Sequence, residues 1–291
     1  MNRRFTVGLV QLNAGRELGP NIEAASALVR EARAKGADFI LTPENTGMIE
    51  PKRPLLLEKA ELEAAHGTLD RFRALAAELG AWLLIGSLAV KLDGESCANR
   101  SFLIDPQGRV ARHYSKIHMF DVDLAGGESY RESATFCPGT AAVLADLPWG
   151  RLGMTVCYDL RFPALYRSLA QAGAEFLTVP AAFTRPTGLA HWHLLLRARA
   201  IETGAFVFAP AQCGDHAEGR KTFGHSLVVS PWGEILAEGS ADRPEVVLAE
   251  IDPAKVAEAR AMIPALTHDR PFAPPAAATD VTAERLRAAG T

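Results

Sequence analysis

Three side chains of complementary chemistry stand at the ends of presumed core strands. Glu44 follows Phe39 to Thr42 in Thr-Pro-Glu-Asn, Lys116 lies in Tyr-Ser-Lys-Ile-His, and Cys157 ends Gly153 to Val156 in Thr-Val-Cys-Tyr-Asp. Loops that follow strands build the sites of layered α/β proteins, so the shared position is informative where each residue alone is not. Singly, Cys157 reads as a core cysteine, Lys116 as a solvated lysine and Glu44 as an acid at a helix start. Together they make a nucleophile, its base and a cation. A free thiol with a pKa near 8.5 is only a few per cent thiolate at neutral pH, so it needs a neighbour to take its proton. Glu44 is expected to do so, its own pKa lifted by a partly desolvated pocket, while Lys116 holds the carboxylate and faces an oxyanion. The backbone N–H of Tyr158 is a second oxyanion donor. This set favours acyl transfer from an amide: the thiolate attacks the carbonyl, an amine leaves with a proton, and water cleaves the thioester. A second carboxylate would orient the lysine or the water, and both Glu132 in Tyr-Arg-Glu-Ser and Glu128, four residues before it, qualify.

Histidine is the usual partner of a catalytic thiol. The candidates are His118, two residues from Lys116, His191 and His193 around Trp192, and His225. At i and i+2 on a helix, His191 and His193 point to nearly opposite faces and chelate poorly. No Cys/His spacing of the zinc-binding kind occurs, so neither metal nor cofactor is expected. The four cysteines, 97, 137, 157 and 213, form no disulfide framework and read as reduced cytoplasmic thiols.

The elements that must position these residues come from a chain of 291 residues, 48% hydrophobic and 22% charged, enough apolar surface for a large core. A net charge of −3 argues against phosphate-backbone binding, so nucleic acid is not an expected partner. No apolar stretch reaches the ~18 to 20 residues of a membrane helix. The basic start, Met-Asn-Arg-Arg, precedes an apolar run that stops at Gln11 without a cleavage site, so it reads as a first strand.

Strand-length apolar runs alternate with helical periodicity. Phe5 to Leu12 and Asp38 to Thr42 are expected strands around a helix capped by Asn21 and ended by Gly36. A helix from Thr68 to Leu79, a strand from Ala81 to Val90 and a hairpin turning at Asp105 to Gly108 follow. The second half repeats the theme with strands Leu152 to Cys157, Glu175 to Pro180 and Ala205 to Pro210. Helices run from Pro163 to Ala172 and from about Leu189 to Glu202, and a hairpin turn at Ser230 to Gly233 precedes a last strand, Val246 to Ile251. Strands apolar throughout are covered on both faces, which implies a layered α/β sandwich. Residues 1–270 read as one domain. Residues 271–291, opening Pro-Phe-Ala-Pro-Pro, read as a tail that is either loose or packed on a partner subunit, with a helix-like stretch at Ala283 to Ala289.

With these residues in hand, the chain resembles the nitrilase superfamily of carbon–nitrogen hydrolases. The match runs from about Phe5 to Pro264, with three motifs in family order: Leu41 to Asn45, Tyr114 to Asp123, and Gly153 to Pro163. It implies a four-layer α-β-β-α sandwich and a cofactor-free amidase with Glu44, Lys116, Cys157 and Glu132 in the catalytic roles. The run Cys157-Tyr-Asp-Leu-Arg161-Phe is similar to the Nit branch, which acts on amides bearing an α-keto acid end. The segment Ala190 to Gly214 looks closer to deaminated glutathione amidases than to ω-amidases. ω-Amidase action on α-ketoglutaramate, N-carbamoyl amino acid hydrolysis by the same residues, and a silent binding homologue are the alternatives. A carboxylate-bearing substrate needs a cation, and Arg161 offers a bidentate fork. Phe183 and Thr187 match substrate-contacting positions, while Arg185 and Pro186 depart from the branch. The resemblance also implies a homodimer through the helices starting at Pro163 and near Leu189.

Overall fold

The computed structural model describes residues 4–124 and 127–273, so the tail from residue 274 onward, with its expected helix-like stretch, lies outside the described residues. Two sheets carry the fold. The first orders its strands Glu245–Ile251, Phe5–Gln11, Phe39–Leu41, Trp82–Lys91, Cys97–Ile104 and Val110–Ser115. The second orders Ile235–Glu238, Leu227–Val229, Phe206–Ala209, Phe176–Thr178, Gly150–Met154 and Val143–Leu147. In each, three neighbouring strands run parallel and the flanking strands are antiparallel.

The period-two alternation of side chains explains the layering. Val7, Leu9, Phe39, Leu41 and Leu84 of the first sheet share one apolar cluster with Leu152, Met154, Phe176 and Phe208 of the second. Their chain neighbours Val10, Ile40, Leu83 and Ile85 point the other way, against Ala25 and Val29 of α1 (Leu18–Ala34) and Phe72 and Leu75 of α3 (Gly67–Leu79). Between these two helices lies the short α2 (Arg53–Lys59). On the far side Tyr166 and Leu169 of α4 (Pro163–Gln171) and Trp192, Leu196 and Ala200 of α5 (Arg185–Thr203) cover the second sheet. The layers are therefore helix, sheet, sheet, helix, the expected four-layer sandwich. Each fully buried Leu, Ile or Phe adds roughly 1.5–3 kcal/mol by transfer, so the double-sided strands are the principal stabilising elements. A last helix, α6 (Ala254–Met262), buries only Val256 and Ala259, a stripe too narrow to read from the sequence.

Two helix starts differ from expectation. α1 begins at Leu18, and Asn21 is no cap: its buried amide bonds Gly15 N–H, Gly15 C=O and Gly47 C=O, bracing the loop that carries Glu44. α5 begins at Arg185, four residues early, because Pro186 falls in the first turn, where a missing N–H costs nothing. The turn at Asp105 is as expected, its carboxylate accepting the Gln107 and Arg109 N–H groups at 2.9 Å.

Candidate active site

Each reactive residue is delivered by the end of a strand and locked by backbone contacts. Glu44 lies three residues past Leu41, on a loop pressed against the next strand at Gly86. A Cβ at Gly86 would sit 2.2 Å from Thr42 C=O, so only glycine admits this approach. Lys116 directly follows Val110–Ser115, and its N–H donates to Asn99 C=O at 2.9 Å.

Cys157 stands at a sharp bend between the strand Gly150–Met154 and the 3-10 turn Cys157–Arg161, with φ of 51° in the left-handed region. A non-glycine residue held there is strained, and such strain persists only where the surroundings enforce it. Here Cys157 N–H donates to Pro180 C=O at 2.9 Å. Asp159, fully buried, accepts Val156 N–H at 2.9 Å and Tyr114 O–H at 2.7 Å, and its other oxygen lies 2.7 Å from His118 Nδ1. His118 also stacks on Phe162, so it serves the bend and is not paired with the thiol. Nothing in the sequence marks Asp159 as a brace, because Tyr114 and His118 lie 45 and 41 residues away in the chain.

These elements converge on one cavity of about 480 Å³ lined by Glu44, Asn99, Lys116, Glu132, Cys157, Tyr158, Phe183, Thr187 and Arg220, among others. Glu44, Lys116 and Cys157 are 3%, 1% and 7% exposed, so their mutual contacts are shielded from water. Lys116 Nζ donates to Glu44 Oε1 at 3.0 Å and to the two Glu132 oxygens at 3.0 and 2.7 Å. Glu44 Oε2 accepts Ala182 N–H at 3.0 Å. Glu132 also accepts Phe120 N–H at 2.7 Å, whereas the Glu128 carboxylate accepts the Tyr130 O–H, so of the two it is Glu132 that contacts Lys116. Asn99, mid-strand and not singled out in the sequence, donates from Nδ2 to Glu44 Oε1 at 2.9 Å and to Glu132 Oε1 at 3.0 Å. Its signal would have been a lone amide in a strand that is otherwise largely apolar.

The electrostatics reverse one expectation. Burial pushes the Glu44 carboxyl up, but Lys116 and a hydrogen bond from the Cys157 thiol outweigh it, and its pKa lies below the ordinary value. Burial first, then the Glu44 charge, push the Cys157 thiol well above its usual range. Burial opposes the Lys116 charge, yet Glu132 and Glu44 hold it well above 10.5. The resting site is thus an ionised carboxylate accepting from a neutral thiol beside a firmly charged ammonium.

The expected binding residues divide. Tyr158, Phe183 and Thr187 line the cavity, with the Thr187 hydroxyl 2.8 Å from Thr184 Oγ1. Arg161 does not line it: the guanidinium lies over the Tyr158 and Phe183 rings, 5.8 and 5.5 Å from their centroids, with both Nη atoms 3.3 Å from His191 Nδ1. Away from the cavity, His193 and His225 each approach Glu238 Oε1, at 3.0 and 2.7 Å, a pairing across elements that sequence spacing could not show. All four cysteines are free, and no helix among the described residues is long and apolar enough to cross a membrane.

Residues 6–261 match the carbon-nitrogen hydrolase family. The chain belongs to that family. It is 38% identical to a deaminated glutathione amidase of Yersinia enterocolitica, over 92% of this chain and 94% of that one. The NitFhit crystal structure from C. elegans superposes with a TM-score of 0.86 at 36% identity, over 92% of this chain; this chain spans 65% of that one. A mutant of the Nesterenkonia sp. AN1 amidase, carrying the acetamide moiety of fluoroacetamide covalently on its active-site cysteine, superposes at 0.75 with 26% identity. The overlap covers 87% of this chain and 92% of that one.

Proposed function

We propose that this carbon–nitrogen hydrolase cleaves deaminated glutathione or a close analogue, with Cys157 as nucleophile, Glu44 as general base and acid, and Lys116 as electrostatic support. The observation that carries the reading is the contact of a neutral, strained thiol with an ionised, buried carboxylate that Lys116 and Asn99 hold in place. The Sγ proton passes to Glu44 as Sγ attacks the amide carbon, so thiolate forms only in the reaction. The oxyanion faces Lys116 Nζ and the Tyr158 N–H, and removing one such donor typically costs ~10²- to 10³-fold in rate. The C–N bond breaks as the leaving nitrogen takes the proton from Glu44, leaving a thioester. Water then gives a proton to Glu44 and attacks, and the acid departs as Sγ regains its hydrogen. Glu132 orients Lys116 throughout.

The substrate class follows from the relatives and from the cations. Deaminated glutathione carries a carboxylate on its keto acid end, for which Arg161 is the proposed receptor once its guanidinium turns from the Tyr158 and Phe183 rings and His191 into the cavity. Residues 1–270 act as one catalytic domain. A homodimer through α4 and α5 is proposed, since α5 leaves Leu189, Leu194 and Ile201 79%, 69% and 55% exposed, an unusual density of apolar surface for a free helix. Four free thiols fit a reducing cytoplasmic setting.

The test is Cys157→Ala. It should abolish release of cysteinylglycine from deaminated glutathione while thermal melting stays close to that of the parent protein. Turnover retained by the variant, or a parent protein inert on this amide, refutes the assignment.

A further inference from the structure

Arg220 stands apart from the other charged groups of the cavity. Lys116 is neutralised by Glu44 and Glu132, Arg131 is clasped by Asp123 through two 2.8 Å contacts, and the exposed Arg53 spends its donors on the carbonyls of Ala134 and Glu95. Arg220 is half-buried, and among the described residues no carboxylate lies within ion-pair distance of it. One Nη2 donor reaches Ala182 C=O at 3.0 Å, the guanidinium lies over the Tyr130 ring at 5.5 Å, and Nε is buried with no partner. The guanidinium acts on Glu44 only through space, and a half-buried guanidinium with an unspent donor and no carboxylate in contact is, in a cavity, the feature a carboxylate ligand relieves.

Its position assigns the carboxylate. Arg220 is anchored on Ala182, the residue whose N–H holds Glu44 Oε2. The leaving nitrogen must lie next to Glu44, because Glu44 gives it its proton. What is attached to that nitrogen then extends past the neighbours of Glu44, towards Ala182 and the guanidinium. Arg220 sits at the foot of the hairpin Cys213–Asp215 and Lys221–Phe223, after a turn in which Glu218 and Gly219 both have positive φ, so the hairpin fixes the base of the side chain.

We propose that Arg220, with the face of Tyr130, forms an anion subsite that binds a carboxylate on the departing amine, separate from the receptor for the acyl portion. The inference rests on the amidase reading above and deepens it: the preferred substrates are amides with a carboxylate on each side of the scissile bond, and ammonia-releasing ω-amides use only part of the site.

The experiment compares deaminated glutathione, whose departing cysteinylglycine carries a carboxylate, with α-ketoglutaramate, whose departing group is ammonia. Both share the same acyl portion. The readout is the ratio of their kcat/KM values, which cancels any change in the chemical step. Charged hydrogen bonds of this kind are worth about 10- to 100-fold in binding, so Arg220→Gln should lower the ratio by that factor, and Arg220→Lys should restore part of it. Arg161→Gln, in contrast, should depress both substrates together. A ratio unchanged in Arg220→Gln overturns the subsite, as does an equal loss on both substrates. A parent protein that turns over neither compound removes the underlying amidase reading instead, so the two failures are distinguishable.

Discussion

Asn99 offers the sharpest test of the network, because one amide nitrogen holds both carboxylates. Asn99→Leu keeps the number and branching of side-chain heavy atoms in the buried strand Cys97–Ile104 and removes the 2.9 and 3.0 Å bonds to Glu44 and Glu132. Hydrogen bonds to charged groups contribute roughly 1.5–3 kcal/mol each, so the pair amounts to about 3–6 kcal/mol. The Asn99 Oδ1 atom is buried without a partner, and removing such an atom returns about 1–3 kcal/mol. With the middle of each range the expected net loss is about 2.5 kcal/mol, a Tm lower by roughly 5–10 °C in a chain of this size. Activity changes in a defined direction. Glu44 must be ionised to accept the thiol proton, and its pKa is held below the ordinary value. Losing a donor to the charged form raises that pKa, so the acid limb of the kcat/KM profile moves to higher pH. Differential scanning fluorimetry and product release between pH 4 and 9 read both effects. A variant that melts with the parent and keeps its acid limb would show that Asn99 holds neither carboxylate.

Glu44→Gln retains the shape of the side chain but cannot accept the thiol proton. Burial and the Glu44 charge keep the Cys157 thiol protonated, so turnover at pH 7 in the parent depends on this base to take the proton and return it to the leaving nitrogen. The variant should lose about 10²-fold or more in kcat/KM, the usual scale of general acid–base catalysis, and equal turnover would exclude Glu44 as the base. Glu50 supports the same loop from the opposite side: burial raises its carboxyl, but bonds from Arg16, the Lys52 N–H and Lys59 lower it to about 2. A depressed carboxyl contributes stability above its unfolded pKa near 4.3 and loses it as pH falls towards 2. Glu50→Gln should therefore melt below the parent at pH 7 and converge with it near pH 2, and a gap that stays constant over this range would refute the linkage.

The parts of the site that end strands were legible. An apolar run that stops at Glu44 or Cys157 announces both the strand and the loop that follows it, and Lys116 ends its hairpin in the same way. Pro163 opened a helix as expected, since proline at the first position is a local effect. Asn21 misled because a residue that favours caps was instead spent on a long-range brace between α1 and the Glu44 loop.

What the sequence determined by itself is the layering, because the alternation of apolar residues is a property of consecutive positions, and the three residues, Glu44, Lys116 and Cys157, that meet in the cavity. Tertiary structure alone decided their charge states. Whether Glu44 is raised or lowered depends on the balance between burial and Lys116, which stands 72 positions away in the chain. It also decided the contacts of Asn99, Asp159 and Arg220, whose partners lie on other strands and loops. Electrostatic energies fall with distance in space and not with separation along the chain, so only the folded arrangement sets them.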